Sequence, residues 1–444
     1  MIFQLLTLIV ILILLILSVS KWKVHPFVAL LLAAITLGLF LGLGGAQTVE
    51  VLLQGFSKTL KWIAIVVIVG AFIGEVLRET GGAIRISDKI VRWVGEKRLP
   101  WAMGFTGYLV SIPVFVDVAY IVLQPVTEAL AARTKKPVLV IGLALTAGLT
   151  VSHTLIPPTP GPLAVASLLD ADIGRLLLIN GLVGLCAMAG GILWASRYCK
   201  DFRLPYDDKL ASLSNQHTDP TNKDKRSSSV LMDLLPILIP IILMGVGTIF
   251  DKDTPGFLAQ SFLFLSTPMI AVMIGAAIAW IQFSRQETEK KVNQLVEQAI
   301  VTSALVIMIT GAGGAFGAVI RESGLQNSLA EFFVGLPFLS FLLPFMVAAV
   351  LTTSTGSITV SLIGTASIFG PMAGDMPYSP ELMAALIGSG SFCVFHANSS
   401  FFWLLNRLHD VPVNVLYRTY TPQSFVMGLS GLLGVLILWA IGIG

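Results

Sequence analysis

The sequence predicts an all-α polytopic membrane protein, with about ten transmembrane helices and two re-entrant hairpins arranged as an inverted-topology repeat. Three observations carry that prediction. Of the 444 residues, 55% are hydrophobic and 12% charged, where a soluble domain has about a quarter charged; the mean hydropathy is +0.86. A soluble enzyme is excluded. The apolar runs are long and continuous, unlike the alternating strands of roughly ten residues in a membrane β-barrel. Finally, segments of the first half recur in the second at a constant offset of 243 residues.

Residues 2–19 are nearly all aliphatic, with no charge before Lys21. A cleavable signal carries its positive charge ahead of the apolar run, so this segment reads as a retained helix with its N-terminus outside. Residues 24–43 make a second span and 61–77 a third, after an amphipathic linker. The stretch from Arg78 to Arg98 is basic and amphipathic (Arg85, Lys89, Arg92, Lys97) and belongs on the cytoplasmic surface. Residues 101–132 are interrupted by Ser111-Ile112-Pro113 and carry Asp117, with basic residues on both flanks. That is the pattern of a re-entrant hairpin whose arms of about 16 residues reach about 24 Å; two short full spans are the alternative.

Residues 137–168 form a helix broken at Ser152-His153-Thr154-Leu155-Ile156-Pro157-Pro158-Thr159-Pro160-Gly161-Pro162. Prolines remove backbone donors and stop a helix, and at bilayer depth such a break is tolerated only inside protein or beside a watery cavity. A span at 174–197 ends the first half, 1–198. A polar linker loop at 199–229 leads to the second half, 230–444, with spans at 230–250, 261–283 and 298–320. An interrupted region, 336–371, contains Thr352-Thr353-Ser354-Thr355-Gly356-Ser357. A span at 381–405 is broken at Phe395-His396-Ala397-Asn398-Ser399-Ser400, and 424–442 closes the chain. Of the 28 Lys and Arg residues, only Lys58, Lys61, Arg175, Lys252 and Arg321 fall outside in this scheme, a bias that follows the positive-inside tendency.

The offset of 243 joins Gly74-Glu75-Val76-Leu77-Arg78-Glu79-Thr80-Gly81 to Gly317-Ala318-Val319-Ile320-Arg321-Glu322-Ser323-Gly324, and His153 to His396. It also sets Pro113 on Gly356 and Thr146 on Ser389. With an odd number of spans per half, the second copy is inverted, and binding is expected at the repeat interface of such a carrier.

A carboxylate at bilayer depth costs about 2.5–3.5 kcal/mol on insertion scales, so Asp117 needs a partner or a function. It can carry a proton or help to hold a cation; its ordinary alternative is to bond backbone amides at an aqueous hairpin tip. His153 and His396 flank the two breaks and suit substrate or proton contacts, although membrane histidines also serve as packing residues. Ser354, Thr355, Gly356 and Ser357, with Thr352, Thr353, Thr359 and Ser361, offer hydroxyls and amides to a polyhydroxylated or carboxylated solute or to Na⁺. Interhelical hydrogen bonding is their competing role. Asn398 and Ser399 belong with them. The run Gly311-Ala312-Gly313-Gly314-Ala315-Phe316-Gly317 lacks the Lys-Ser/Thr ending of a phosphate loop and reads as close helix packing. Glu75, near the cytoplasmic end of its helix, reads as snorkelling or as a partner of Arg78. No HExxH, GxSxG or CxxC occurs; neither metal site nor cofactor is expected, nor any nucleic-acid partner, and Cys186, Cys199 and Cys393 read as small packing residues.

Ser152 to Pro162, followed by Ala171-Asp172-Ile173-Gly174, resembles the gluconate permease family of proton symporters, whose motif is approximately T/S-H-x-x-x-P-P-x-P-G-P and then A-D-x-G. Ile112-Pro113-Val114-Phe115-Val116-Asp117-Val118 resembles its hairpin motif, and Ser389-Gly390-Ser391 with Phe401-Phe402-Trp403-Leu404 its C-terminal signature. The likeness covers essentially the whole chain. Two departures stand out: the acidic residue of the family's S-H-V-N-D is missing at 396–400, and Thr159 stands where members often have a second histidine. The resemblance implies an elevator-type transporter that dimerises through a scaffold domain.

Together these readings give a carrier of the bacterial inner membrane, importing a small hydroxylated carboxylate, a gluconate-like sugar acid, with protons. Substrate contacts are expected from Ser152, His153, Thr154, Thr159, Gly161, Ser354, Thr355, Gly356, Ser357, His396, Asn398 and Ser399, and coupling from Asp117 and His153. Partners are the carboxylate, protons or Na⁺, membrane lipid and a second copy of the chain. The rivals are a Na⁺-coupled carboxylate or D-amino acid carrier, a channel and a membrane-embedded enzyme.

Overall fold

Apolar runs without a polar stripe become helices buried all round, and this chain has two of them at its centre. The computed structural model describes residues 2–207, 230–247, 256–284, 289–325, 337–397 and 399–443, and they contain helices and no strand. The first half has α1 (Ile2–Ser20), α2 (Pro26–Phe40), α3 (Gly45–Glu79), α4 (Gly82–Val94), α5 (Leu99–Val110), α6 (Val116–Thr134), α7 (Val138–Leu155), α8 (Pro160–Leu169) and α9 (Ile173–Tyr198). The second has α10 (Val230–Gly247), α11 (Phe257–Ser266), α12 (Pro268–Ser284), α13 (Glu289–Glu322), α14 (Pro337–Thr355), α15 (Ile358–Phe369), α16 (Pro380–Ser391), α17 (Ser400–Leu408) and α18 (Val413–Ala440). Every residue of α7 is buried, as is α16 from Glu381 to Ser391. Apolar side chains on α1, α9 and α18, such as Leu6, Ile13, Leu178, Leu182, Leu193, Leu429 and Leu433, are exposed, as a lipid-facing surface requires.

Helix ends follow local chemistry. Asp172, in the Ala-Asp-Ile-Gly motif, caps α9 by accepting the Arg175 amide at 2.9 Å, and its own amide donates to the buried Glu381 carboxylate of α16 at 2.9 Å. Ser379 caps α16, which opens on Pro380, a residue whose fixed φ suits the first helical position. The two hairpins lie where the sequence breaks: α5 and α6 join through 111–115, α14 and α15 through Gly356 and Ser357, with Gly356 in the left-handed region at φ 71°. The linker reading at 199–229 lies largely outside the described residues.

Several boundaries differ from the sequence reading. The amphipathic linker before residue 61 is helical and joined to the third span, so α3 runs for 35 residues, bent by 41° between Lys61 and Ala64. The segment 261–283 is two helices, α11 and α12, bent by 72° at Thr267. Among the described residues four segments are long and apolar enough to cross a membrane singly, and up to six if each bent pair is one span; the remaining apolar helices, including 26–40 and 230–246, are shorter. Shifting α3 by 243 gives the bounds of α13 to within a residue, and shifting α9 gives those of α18 to within three.

Two packing groups organise the molecule. In one, α3 lies along α13, with α2 and α12 beside them. The glycine run of α13 explains the close approach: a Cβ at Gly314 would strike Thr59 and one at Gly55 would meet the Gly314 carbonyl. This is the packing role read from the sequence. In the other group α5, α7 and α9 pack in series, and α14, α16 and α18 do the same. At the α5–α7 crossing a Cβ on Gly148 would overlap the Gly104 carbonyl oxygen and lie 2.6 Å from the Tyr108 nitrogen. Gly148→Val is therefore expected to cost stability at the upper end of about 1–3 kcal/mol, because backbone cannot step aside as a side chain can. Melting of the detergent-solubilised protein checks this, with Gly245→Ala, which meets nothing within 4 Å, as the tolerated control.

Candidate functional site

The four backbone breaks bring helix ends, and with them unsatisfied amides and carbonyls, into the interior. Most are satisfied locally. Asn180 of α9 donates to the Leu155 carbonyl at the end of α7 at 2.9 Å. Ser111 Oγ donates to the Val114 carbonyl at 2.9 Å. At the break of the second broken span, the Phe395 amide donates to Ser424 Oγ at 2.9 Å and the Trp403 indole to the Ala397 carbonyl at 2.7 Å.

What remains open is a cavity of about 210 Å³. It is lined by Phe115, Val116 and Asp117 from the first hairpin, Thr150 and His153 from α7, and Gly356, Ser357, Ile358 and Thr359 from the second hairpin. Phe395, Ser399, Phe401 and Tyr420 close it. Three helices begin at its wall: α6 at Val116, α15 at Ile358 and α17 at Ser400. Their N-terminal amides and dipoles make the wall favourable to negative charge. Asp117, in the first turn of α6, is exposed to the cavity and is its one carboxylate among the described residues; among them no Lys or Arg lines it. His153 packs its ring against Phe115, centroids 5.4 Å apart, and its Nδ1 is buried without a hydrogen-bond partner among the described residues.

The residues expected at the site divide sharply. Asp117, His153, Gly356, Ser357 and Ser399 line the cavity. Thr154 does not: its hydroxyl donates to the Thr150 carbonyl within α7 at 2.6 Å. Thr159 donates to the Ile156 carbonyl at 2.5 Å, Ser354 to Val350 and Thr355 to Leu351, both at 2.7 Å. Thr355 Oγ1 also accepts the Ser357 amide at 3.3 Å, which shapes the hairpin turn. Gly161 faces Leu362 of α15, and Ser152 is buried away from the cavity with its hydroxyl unpartnered among the described residues. His396 Nε2 lies 2.8 Å from the Thr353 carbonyl and ties the second broken span to the second hairpin instead of lining the cavity. Asn398 lies outside the described residues. Thr352 and Ser361 make the interhelical bonds that compete with binding, Thr352 to the Ser391 carbonyl at 2.8 Å and Ser361 to the Ala348 carbonyl at 2.7 Å.

Thr150, Phe115, Phe401 and Tyr420 join the site without having been singled out. Thr150 had a signal, since it lies one turn before His153 on the same helix. Tyr420 had none: it reaches the cavity through tertiary packing, stacked on Phe395 with centroids 5.8 Å apart.

A larger cleft of about 760 Å³ lies elsewhere, between α3 and α13 on one side and the ends of α8 and α15 on the other. Lys58, Lys61 and Arg321 are matched there by Glu50, Asp170 and Glu322, so its walls do not select one sign of charge.

An all-helical membrane protein with broken helices meeting at an interior polar cavity belongs to the class of multi-pass permeases, and comparison with known proteins narrows the class. Residues 3–441 match the model of the GntP family permeases, and the chain belongs to that family; the family resemblance read from the motifs is thereby borne out. The chain is 34% identical to an uncharacterized permease of Haemophilus influenzae, over 93% of this chain and 88% of that one. It is 31% identical to the gluconate permease of Pseudomonas aeruginosa, over 96% and 95%, and 30% identical to the D-serine transporter DsdX of Escherichia coli, over 97% of each. Among solved structures it is similar to MtrF of Neisseria gonorrhoeae (TM-score 0.72, 14% identity, 97% of each chain). It is also similar to the YdaH transporter of Alcanivorax borkumensis (TM-score 0.68, 17% identity, 94% of this chain and 99% of that one). At those identities the likeness shows the fold alone.

Proposed function

We propose that the protein is a secondary active transporter of the bacterial inner membrane that imports a small hydroxylated carboxylate of the gluconate type together with protons. The observation that carries this reading is the cavity itself: three helix N-termini, an imidazole and several hydroxyls surround a single carboxylate. Helix N-termini supply the counter-charge for an anion without a fixed arginine, and Ser357, Thr359, Thr150 and Ser399 suit its hydroxyls. An anionic substrate and an ionised Asp117 repel one another in so small a space. A proton on Asp117 removes the repulsion and turns the side chain into a donor. Substrate and proton therefore favour each other's binding, by the reciprocity of linked equilibria. That linkage is the coupling.

The two halves act as an inverted repeat, with the hairpins and broken helices moving as an elevator against the group built on α3 and α13, in a homodimer. A relative named as a gluconate permease supports the substrate class. A second reading rests on the same carboxylate: an ionised Asp117 can pair with the ammonium of an amino acid, and another relative is named a D-serine transporter. Thermal-shift and counterflow screens of sugar acids against D-amino acids separate the two.

Coupling is tested at Asp117. Asparagine mimics the neutral acid, so Asp117→Asn is expected to lose accumulation driven by a pH gradient in sealed vesicles while retaining counterflow, which needs only binding and exchange. Wild-type uptake that requires a Na⁺ gradient and ignores pH would refute proton coupling. The membrane potential does not discriminate, since one net charge crossing 100 mV is worth about 2.3 kcal/mol for either ion.

A further inference from the structure

The polar face of α6 does not stop at the cavity. Asp117, Tyr120, Gln124 and Glu128 lie within about 80° of one another around the helix axis, and Glu128 is about 16 Å along it from Asp117. Tyr120 is fully buried. Its ring meets Phe401 of the cavity wall edge-on at 5.3 Å, and its hydroxyl lies 2.9 Å from His409 Nε2. Gly142 of α7 makes the room: a Cβ there would collide with the Tyr120 hydroxyl and stand 3.9 Å from His409 Nε2. On its other side the imidazole presents Nδ1, buried and without a hydrogen-bond partner among the described residues, to Glu128 Oε1 at 3.6 Å. Glu128 Oε1 accepts from Gln124 Nε2 at 2.9 Å and from the Tyr206 hydroxyl at 2.7 Å, and the Glu128 side chain is 20% exposed.

The remaining charged groups around His409 are Asp207, which accepts the Val138 amide of α7 at 2.8 Å, and the exposed Asp410. His409 sits in the connection between α17 and α18, outside the candidate spans. Burial pulls its pKa down, against Glu128, Asp207 and Asp410, which hold it up. Burial and the Glu128 carboxylate push the Tyr206 phenol up, so it remains a donor. This face is a line of groups that can accept and pass protons, ending at the membrane face that carries Arg133 and Lys135.

We propose that Tyr120, His409 and Glu128 form the path by which the coupling proton leaves Asp117 for the cytoplasm. The proposal rests on the proton-coupled reading of the cavity. Side chains three apart on a helix are neighbours about 5–6 Å apart at Cβ, and on this path the step from Asp117 to Tyr120 runs through water from the cavity. That water takes the Asp117 proton and gives one to the Tyr120 oxygen. The Tyr120 hydroxyl proton passes to His409 Nε2 as the Nδ1 proton passes to Glu128, which releases it to solvent. Asp117 ends ionised, tyrosine and imidazole end neutral, and one proton has crossed; the imidazole now carries its proton on Nε2, and exchange of its ring protons with solvent returns it to the Nδ1 tautomer.

The test uses the full chain in proteoliposomes, with gluconate and D-serine as probes and wild type measured first. His409→Gln keeps polar contacts but cannot shuttle; Tyr120→Phe and Glu128→Gln interrupt the line on either side. Each is expected to lower pH-gradient-driven uptake by about tenfold or more, while counterflow at equal pH and the melting temperature stay near wild type. Two results overturn the path. In one, all three variants retain gradient-driven uptake. In the other, counterflow falls in parallel with gradient-driven uptake in all three, which marks a merely structural cluster. A wild type that ignores the pH gradient is a different result, because then the proton-coupled reading itself has failed.

Discussion

His153→Ala is expected to lower uptake by about 10- to 100-fold while leaving the melting temperature close to that of wild type. The imidazole ends α7, the most deeply buried helix, yet it borders the cavity. Its ring stands against Phe115 with Nδ1 unpartnered among the described residues. A buried polar atom left without a partner costs about 1–3 kcal/mol, and a substrate hydroxyl or carboxylate supplies the missing bond. Each 1.4 kcal/mol is a factor of ten in affinity, which sets the size of the loss. The variant removes a ring that borders the cavity and whose Nδ1 has no hydrogen-bond partner among the described residues, so little native bonding is lost. Thr154→Val, one residue on, is expected to transport normally, because the Thr154 hydroxyl bonds within its own helix. His396→Ala acts on stability instead, by releasing the Thr353 carbonyl. Direct uptake of labelled substrate decides: wild-type rates in His153→Ala remove the residue from the site.

Asp233→Ala is expected to destabilise the protein strongly. Asp233 of α10 accepts from Arg85 of α4 twice, from Nε at 2.8 Å and Nη2 at 2.6 Å, and its side chain is only 6% exposed. The pair joins the amphipathic surface helix of the first half to the opening helix of the second. Without the carboxylate, Arg85 keeps the Thr80 carbonyl at 2.6 Å and loses its counter-charge. Removing one partner of a fully buried pair costs about 3–5 kcal/mol. Arg85 retains 23% exposure, so solvent screening brings the expected loss to about 2–3 kcal/mol. The double variant Arg85→Met/Asp233→Leu should recover most of it, because no orphaned charge remains. Thermal melting of both variants tests the account, and an Asp233→Ala protein that melts with wild type would show the pair to be neutral.

Membrane class, family and the positions of the backbone breaks were legible in the sequence because each has a one-dimensional signal. Composition separates a bilayer chain from a soluble one, and the Pro157-Pro158-Thr159-Pro160-Gly161-Pro162 run cannot continue a helix. The spacing of 243 residues aligns α3 with α13 without any knowledge of contacts. Asp117 and His153 also stood out, since a charged or imidazole side chain in an apolar segment requires an account. Which other polar residues face the cavity was decided by tertiary structure. A soluble helix announces its buried face by amphipathic periodicity, but α7 is buried on every side, and its order of residues does not exclude Thr154, the neighbour of His153, from the cavity. Helix phase against the neighbours made that choice, at the crossing where Gly104 and Gly148 let backbones meet. The same packing carried Tyr420 to the cavity and Tyr120 to His409, 289 residues away, and turned one of two histidines at equal offset toward open space and the other toward a backbone carbonyl.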